Sequence, residues 1–314
     1  MSQPLPALGI DVGGGSAKIG IVSPAGQVLA EDVVISDPGF AASVLIDCYL
    51  ATADRLRKSL GIEKLCGIGV GLPGHIDFKR GTTRLGNVPC LDEFPIVDYV
   101  SNKSGSIVFL ENDATLAAVA EHRFGVGQGS DRFLTVALGT GIGVGFIENG
   151  KPVHTANGTM GDIGHVIVDP TGKHTCRQGC HGCLESVASA LALQDRYNAM
   201  RGVNSDEGLR ALFGSARAGD VGCAHIIDEA AQHIGAAVVT WMHIFAPDRI
   251  AFAGGLSTAG EVLLSPIRKT VTRLAMKNYA NKATILRATL GSKAGLVGAA
   301  ALCFPHQHSE RVKT

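Results

Sequence analysis

The chain has 314 residues, of which 46% are hydrophobic and 18% charged, so it is long enough for two domains with sizeable cores. Its 28 basic residues balance 28 acidic ones, which argues against a broad surface for nucleic acid or anionic membranes. The first residues carry no signal-peptide pattern, and the longest apolar helix candidate, 234–245, is too short to span a bilayer. We therefore expect a cytoplasmic protein, with no membrane partner, whose cysteines are reduced.

The first third of the chain alternates strand patterns with helix patterns. An amphipathic helix is predicted at 40–60, and another helix begins at Asp113. Apolar runs predict strands at 7–12, 18–22, 28–35, 65–74 and 106–110. Glycine is frequent, with 41 residues clustered in short turns, which is about twice the usual share of roughly 7%. Such turns are typical of backbone close to a ligand or to another strand.

Near residue 132 the opening pattern recurs, so that strand, glycine-rich turn and strand are found at 7–22 and again at 132–149. This indicates either a diverged internal duplication, with two similar domains facing a cleft, or two unrelated glycine hairpins. The remainder alternates helices with strands, which is typical of an α/β protein. Its predicted elements are helices at 222–246, 259–277 and 294–302 and strands at 249–255 and 283–290.

Three glycine-rich turns are candidate phosphate-binding sites: DVGGGS (11–16), LGTGIG (138–143) and AGG (253–255). Glycine lets several backbone N–H groups converge on one phosphate. The chain has no GxxxxGK[ST] motif, which excludes a Walker-type site. Asp11, at a predicted strand end, is a candidate partner for Mg²⁺ or its waters. Its alternative role is to cap the turn.

Asn112 and Asp113 stand where a buried strand meets a helix in FLENDATLAAVAEHRFG. Strand ends line the ligand crevice in α/β folds, so Asp113 is a candidate ligand-facing carboxylate. The alternative is an ordinary N-cap.

Further along, HTCRQGCHGCLES places Cys176, Cys180 and Cys183 within eight positions. Reduced thiols so close together favour metal binding or redox chemistry.

Taken together, these motifs resemble the ROK sugar kinases (repressors, open reading frames, kinases) of the actin-like ATPase superfamily. The matching segments run from residue 8 to about 302 in the family's order, among them DVGGGSAKIG, GVGLPGHID, NGTMGDIGH and AGGLSTAGEVLLSPIR. The resemblance implies an α/β, two-domain actin-like ATPase (ribonuclease H-like) fold with a cleft between the domains. Residues 1–115 plus about 291–304 would form the small N-terminal domain. Residues 116–290 would form the larger C-terminal one, which carries the metal loop.

The resemblance implies ATP-dependent phosphorylation of a hexose hydroxyl, most often the 6-hydroxyl, with Asp113 as general base. Family repressors carry a helix-turn-helix segment before the first glycine turn, and that turn begins here by residue 11, which favours a kinase. A homodimer is expected, and nucleic acid is not an expected partner. The implied sugar-binding residues are Gly74, Asn87, Asn112, Asp113, Asp162, His165 and Glu185. Those implied for ATP and Mg²⁺ are Asp11, Gly13, Gly14, Ser16, Lys18, Gly139, Thr140, Gly141, Gly254 and Gly255.

The resemblance also implies a structural zinc bound by His165, Cys176 and Cys183. The family's middle cysteine falls on Gln178, and Cys180, two residues later, is the predicted substitute ligand. Four nitrogen and sulfur ligands complete the tetrahedron that structural zinc prefers. The alternative is a loop with three free thiols. Zinc would fix the loop that carries His165 and Glu185.

Two departures from the family pattern leave the sugar open. Asp162 stands where most members have Glu, which shortens the carboxylate by one methylene, and Gly15 and Ser16 replace the usual residues after the double glycine. The candidates are glucose, mannose, fructose, an amino or N-acetyl hexose, or a cyclitol. A sugar-sensing regulator and an actin-like ATPase are the alternatives to a kinase. Asp113 argues against the first, and the Cys/His cluster argues against the second.

Overall fold

The computed structural model describes residues 4–37, 39–84, 88–156, 158, 160–204, 208–279 and 281–305. The chain divides into two compact units. The first comprises Met1–Gly129, Gly145–Gly161 and Leu290–Thr314, and the second Ser130–Val144 and Asp162–Thr289. Residues 116–129 and 145–161 thus lie in the first unit, whereas the boundary drawn from the sequence falls after residue 115. The domain boundaries from the sequence stay a prediction.

Seven strands fall among the described residues up to position 112. In chain order, β1–β7 are Ala7–Val12, Ser16–Val22, Val28–Ile35, Ile68–Leu72, His75–Asp77, Thr82–Arg84 and Val108–Asn112. Five of them form a sheet in the order β3-β2-β1-β4-β7, while β5 and β6 pair as a separate hairpin. Strands β1, β4 and β7 run parallel, so their carboxyl ends lie at one edge of the sheet.

The remaining strands form a second sheet. In chain order, β8–β12 are Arg132–Leu138, Ile142–Glu148, Lys151–Pro152, Arg249–Ala253 and Thr284–Arg287. Their order is β10-β9-β8-β11-β12. Each sheet therefore places the first strand of its set in the centre, the next two on one side and the last two on the other. This shared order favours the internal duplication over two unrelated hairpins.

The α-helices of the described residues cover the sheets. In chain order, α1–α9 are Ala42–Ser59, Ile96–Ser104, Asp113–Phe124, Leu184–Ala188, Ala190–Arg201, Gly208–Arg217, Val221–Phe245, Glu261–Leu274 and Ala294–Ala301. Helix α1 buries Leu45, Ile46, Tyr49, Ala53 and Leu56, whose spacing of three or four places them on one face. In the second unit the long helix α7 packs against α8 and buries Trp241. None of the helices in the described part is both long and apolar enough to cross a membrane.

Helix α9, near the end of the chain, packs on the first sheet. It contacts α3 as well as β1 and β4. A Cβ atom at Gly69 in β4 would lie 1.7 Å from the carbonyl oxygen of Ala299. Only glycine allows so close an approach. The contact brings the last helix against the centre of the sheet in which the chain begins.

The predicted α/β fold class is confirmed, but α2, α4, α5 and α6 have no counterpart in the sequence prediction, and other elements differ at their ends. The helix predicted at 259–277 is α8, which spans Glu261–Leu274, and a separate 3₁₀ turn, Gly255–Ala259, precedes it. The break falls at Gly260, whose φ of 66° is incompatible with a continuous helix. The hairpin β5–β6 has no counterpart in the sequence prediction, because strands of three residues are too short to show an alternating pattern.

Candidate active site

The junction of β7 and α3 sets the orientation of Asp113. The side-chain oxygen of Asn112 accepts hydrogen bonds from the backbone N–H groups of Ala114 and Thr115, at 3.0 and 3.3 Å. Asn112 is therefore the N-cap of α3, and one carboxylate oxygen of Asp113 also accepts the backbone N–H of Ala114, at 2.8 Å. The Asn112 amide also donates to the carbonyl oxygen of Gly74, at 3.1 Å. These bonds bring three of the predicted sugar-binding residues together.

The electrostatics of the junction favour a proton acceptor. Desolvation by the surrounding protein and, second, repulsion from the Asp11 carboxylate raise the pKa of Asp113 to about 6. Asp113 is nevertheless open to solvent, so water screens part of this effect. Burial likewise raises the pKa of Asp11, and the charge of Lys18 opposes that shift. Two carboxylates that repel each other in this way suit a site that takes up a proton or a cation.

The first glycine turn joins β1 to β2 beside Asp11. The backbone N–H of Gly13 donates to the carbonyl oxygen of Ser16, at 2.9 Å. A Cβ atom at Gly295 would lie 2.3 Å from a carboxylate oxygen of Asp11, so the start of α9 lies directly against that side chain. The ammonium group of Lys18 donates to the carbonyl oxygen of Ser292. Asp11 and Lys18 are thus held beside the turn, where a phosphate with Mg²⁺ could be bound.

The second glycine turn, between β8 and β9, is held from the side of α4 and α5. The backbone N–H of Gly139 donates to the carbonyl oxygen of Gly141, at 2.9 Å. The backbone N–H of Ile142 donates to the carboxylate of Glu185, at 3.0 Å. Ala190, the first residue of α5, donates its backbone N–H to the carbonyl oxygen of Gly139, at 2.9 Å. Glu185, predicted to bind sugar, therefore also holds the turn predicted to bind phosphate.

A cavity of about 540 Å³ in the second unit adjoins this turn. It is lined by Gly139 and Thr140, by Gly255 and by side chains of α6, among them Arg210 and Phe213. A side chain at Gly255 would meet nothing within 4 Å, so the wall there is open. The two α6 residues were missed by sequence reasoning because α6 carries no glycine motif, and only its strongly one-sided apolar pattern marks it as a packed helix.

The predicted metal ligands come together in the second unit. The ligand atoms of His165, Cys176, Cys180 and Cys183 all lie within 4.8 Å of one another. The Nδ1 atom of His165 is 3.7 Å from the sulfur of Cys176 and 3.7 Å from that of Cys183. Tetrahedral zinc bonds would place nitrogen and sulfur about 3.6 Å apart. The four residues therefore fit a zinc ion, and the exposed Gln178 is not needed as a ligand.

Two features of the cluster bear on how it would hold an ion. Desolvation and then the neighbouring Cys176 raise the pKa of the Cys180 thiol to about 11. A bound zinc ion would displace that proton, because its charge favours the thiolate. The Nε2 atom of His165 lies 4.0 Å from a carboxylate oxygen of Glu185. A carboxylate facing the second ring nitrogen is the usual way in which a metal-bound histidine is oriented.

Three further predicted residues lie in a 3₁₀ helix and in glycine turns. Asp162 is exposed and lies in the 3₁₀ helix Gly161–His165, three residues before the metal ligand. Gly254 has a φ of 80° and lies against the carbonyl oxygen of Leu138 at the end of β8. Gly14 is exposed in the first turn. Asn87 lies outside the described residues.

Comparison with known proteins shows the family to which the chain belongs. The model of the ROK family matches residues 7–305. The glucokinase of Thermotoga maritima is 32% identical over 311 residues, which are 95% of this chain and 97% of that protein. The crystal structure of a ROK family glucokinase from Streptomyces griseus in complex with glucose and AMPPNP superposes with a TM-score of 0.79. It is 34% identical, covering 95% of this chain and 98% of that one.

The chain therefore belongs to the ROK family, and its fold is that of the ROK sugar kinases of the actin-like ATPase class. The family also contains proteins with a different role. The DNA-binding transcriptional dual regulator NagC of Escherichia coli is 27% identical over 306 residues, covering 94% of this chain and 74% of that protein. Family membership alone thus leaves both a kinase and a regulator to be weighed.

Proposed function

We propose that the protein is an ATP-dependent sugar kinase that phosphorylates a hexose hydroxyl, most often the 6-hydroxyl. The observation that carries the proposal is Asp113, an accessible carboxylate with a raised pKa at the head of α3, beside Asn112 and Gly74. A kinase needs a proton acceptor at the attacking alcohol, whereas a protein that only binds sugar does not. The glucokinases among its relatives agree with this assignment.

In the proposed reaction, Asp113 accepts the proton of the sugar hydroxyl as its oxygen attacks the γ-phosphorus of ATP and ADP leaves. Catalysis of such a transfer depends mainly on positioning and on neutralising charge. Asn112 and Gly74 would orient the sugar, and the two glycine turns with Lys18 would bind the phosphates. Asp11 would hold Mg²⁺ or its waters, and the ion would supply neutralisation of the phosphate charge when bound.

His165, Cys176, Cys180 and Cys183 would hold a structural zinc ion. The ion would fix the loop between the 3₁₀ helix and α4, and with it Glu185, which holds the second glycine turn. His165 and Glu185 would then contact the sugar in fixed orientations. The shorter carboxylate of Asp162 argues against naming glucose alone, so the candidate substrates are glucose, mannose, fructose, amino and N-acetyl hexoses and cyclitols. A homodimer and a cytoplasmic location remain predictions.

The test is sugar-dependent release of ADP. The purified protein, with magnesium and ATP, should release ADP with at least one member of a panel of hexoses, amino and N-acetyl hexoses and cyclitols. Phosphorus NMR of the product would identify the phosphorylated hydroxyl. The absence of turnover with every member, from folded and zinc-loaded protein, would refute the proposal.

A second candidate, a sugar-sensing regulator without catalysis, is favoured by the match to the Escherichia coli regulator over 94% of this chain. It predicts that calorimetry detects sugar binding while the panel shows no turnover. Turnover with any sugar decides for the kinase.

A further inference from the structure

Glu111 is a buried carboxylate next to the proposed catalytic junction. It is the last residue but one of β7 and is only 2% exposed. One carboxylate oxygen accepts the backbone N–H of Asn112, at 2.8 Å, and the other accepts the Nε2–H of His154, at 2.7 Å. A buried charge is tolerated only where it is paired and hydrogen-bonded. His154 is therefore the hydrogen-bonding partner on which the position of Glu111 depends.

His154 is itself held from a second side. It follows β10 in the segment Gly145–Gly161 of the first unit, and its side chain is 34% exposed. Its ring centroid lies 4.4 Å from that of Phe78, with the planes tilted by 43°. Phe78 directly follows β5. The imidazole thus links the end of β7 to the β5–β6 hairpin.

The same segment touches the hairpin at a second point. A Cβ atom at Gly158 would lie 1.9 Å from the carbonyl oxygen of Ile76 in β5, and Gly158 has a φ of 101°. Strand β5 begins at His75, immediately after Gly74. Gly74 in turn accepts the hydrogen bond from the Asn112 amide. The contacts therefore form a closed ring that runs from Glu111 through His154 and β5 and back to Asn112.

We propose that His154 is a positioning residue that fixes the Asn112–Asp113 junction through its hydrogen bond to Glu111. This inference rests on the proposed function, in which Asp113 accepts the proton of the substrate alcohol. The bond holds the end of β7, and the ring contact with Phe78 holds the adjoining hairpin. The distance between Asp113 and Gly74 therefore stays fixed. Displacing such a supporting group by a small distance is enough to slow a positioned reaction.

Two variants separate hydrogen bonding from packing. H154Q keeps an N–H donor near the position of Nε2, whereas H154L fills similar space without a donor. We expect H154L to lower kcat about 10- to 100-fold, the range seen when groups that orient active-site residues are lost. The KM for ATP should change little, because the contacts of His154 are with Glu111 and Phe78 and not with the residues proposed to bind the phosphates. H154Q should stay close to the parent.

A second readout is independent of turnover. Deuterium exchange at the backbone N–H groups of Asn112, Ala114 and Thr115 reports directly on Glu111 and on the N-cap. H154L should accelerate exchange at these three groups, and H154Q should not. If the parent phosphorylates no sugar, the proposed function fails, while the exchange experiment still decides whether His154 fixes the junction.

The control is the exposed pair of His225 and Glu229 on α7, whose atoms are 3.7 Å apart. H225L should change neither kcat nor exchange near residue 112. If H154L does not fold, H154M takes its place as a flexible side chain without a donor. Any result in which the variant without a donor and H154Q behave alike in both readouts overturns the inference.

Discussion

The carboxylate of Glu185 accepts a 3.0 Å hydrogen bond from the backbone N–H of Ile142. Glu185 stands two residues after Cys183, and Ile142 directly follows the second glycine turn. The cluster predicted to bind zinc and the turn predicted to bind phosphate are therefore joined by one side chain. Loss of the ion should be felt at the turn as well as in the loop.

Removing a ligand should release the metal and weaken nucleotide binding together. C183S should lower the zinc content of the purified protein, measured by elemental analysis, and lower its Tm, because binding free energy of structural zinc is folding free energy. The affinity for an ATP analogue should fall in the same variant. C48S, which alters an exposed cysteine outside the cluster, is the control. Full zinc content in C183S would contradict the site.

The fourth ligand can be identified by a pair of substitutions. C180S should reduce zinc binding as C183S does, whereas Q178A should leave it unchanged, because Cys180 already supplies a fourth ligand atom beside the other three. Cobalt substitution gives a second measurement, since a tetrahedral thiolate site produces an intense visible spectrum. The opposite pattern would assign the role to Gln178.

Replacing the proposed base should stop turnover without preventing sugar binding. D113N keeps the size of the side chain but cannot accept the proton, and general-base catalysis commonly contributes about 10²–10⁴-fold. We expect kcat to fall by that range while the sugar Kd, from calorimetry, changes little. Turnover close to that of the parent would refute the assignment of Asp113.

The rate should depend on the ionisation of the same carboxylate. With a pKa of about 6, Asp113 is protonated and inactive as a base below that pH. A plot of log kcat/KM against pH should therefore rise up to about pH 6 and then level off. An acid limb that falls only near the ordinary pKa of aspartate, about 4, would show that the environment of Asp113 is not as described.

The raised pKa also predicts a pH-dependent effect on stability. Asp113 holds its proton more tightly in the native protein than in the unfolded chain. Its contribution to the free energy of unfolding is therefore lost as pH rises from about 4 through about 6. D113N should therefore raise Tm at pH 8 and change it little at pH 4. After allowance for screening by water, we expect D113N to raise the free energy of unfolding at pH 8 by about 1 kcal/mol. Thermal unfolding at the two pH values is the measurement, and equal shifts at both would contradict it.

Much of the site could be predicted from the sequence because its parts are local. The glycine turns, the strand end at Asn112 and the cysteine spacing each occupy a few consecutive residues. The capping of α3 by Asn112 rather than Asp113 could not be read, because both residue types are good caps. The pairing of Glu111 with His154 joins positions 43 residues apart. No periodicity or motif reports a contact of that kind.

Glycine also limited what the sequence could show. The pattern around Gly69 predicts a strand but not what covers it, and the structure shows α9 pressed against that position. Similarly, Gly260 separates the 3₁₀ turn Gly255–Ala259 from α8, whereas the sequence predicts that the helix begins at residue 259. Because glycine has no side chain, the sequence does not indicate which backbone packs against it, and only the structure shows this.

The placement of α9 has a consequence for biosynthesis. The sheet that contains β1 and β4 is covered by α9, which lies far later in the chain, so both strands are synthesised long before the helix that packs on their glycine face. During that interval Asp11 has no backbone from Gly295 beside it. The first unit is therefore complete only once α9 has been synthesised, and a nascent chain halted before Leu290 would lack this helix.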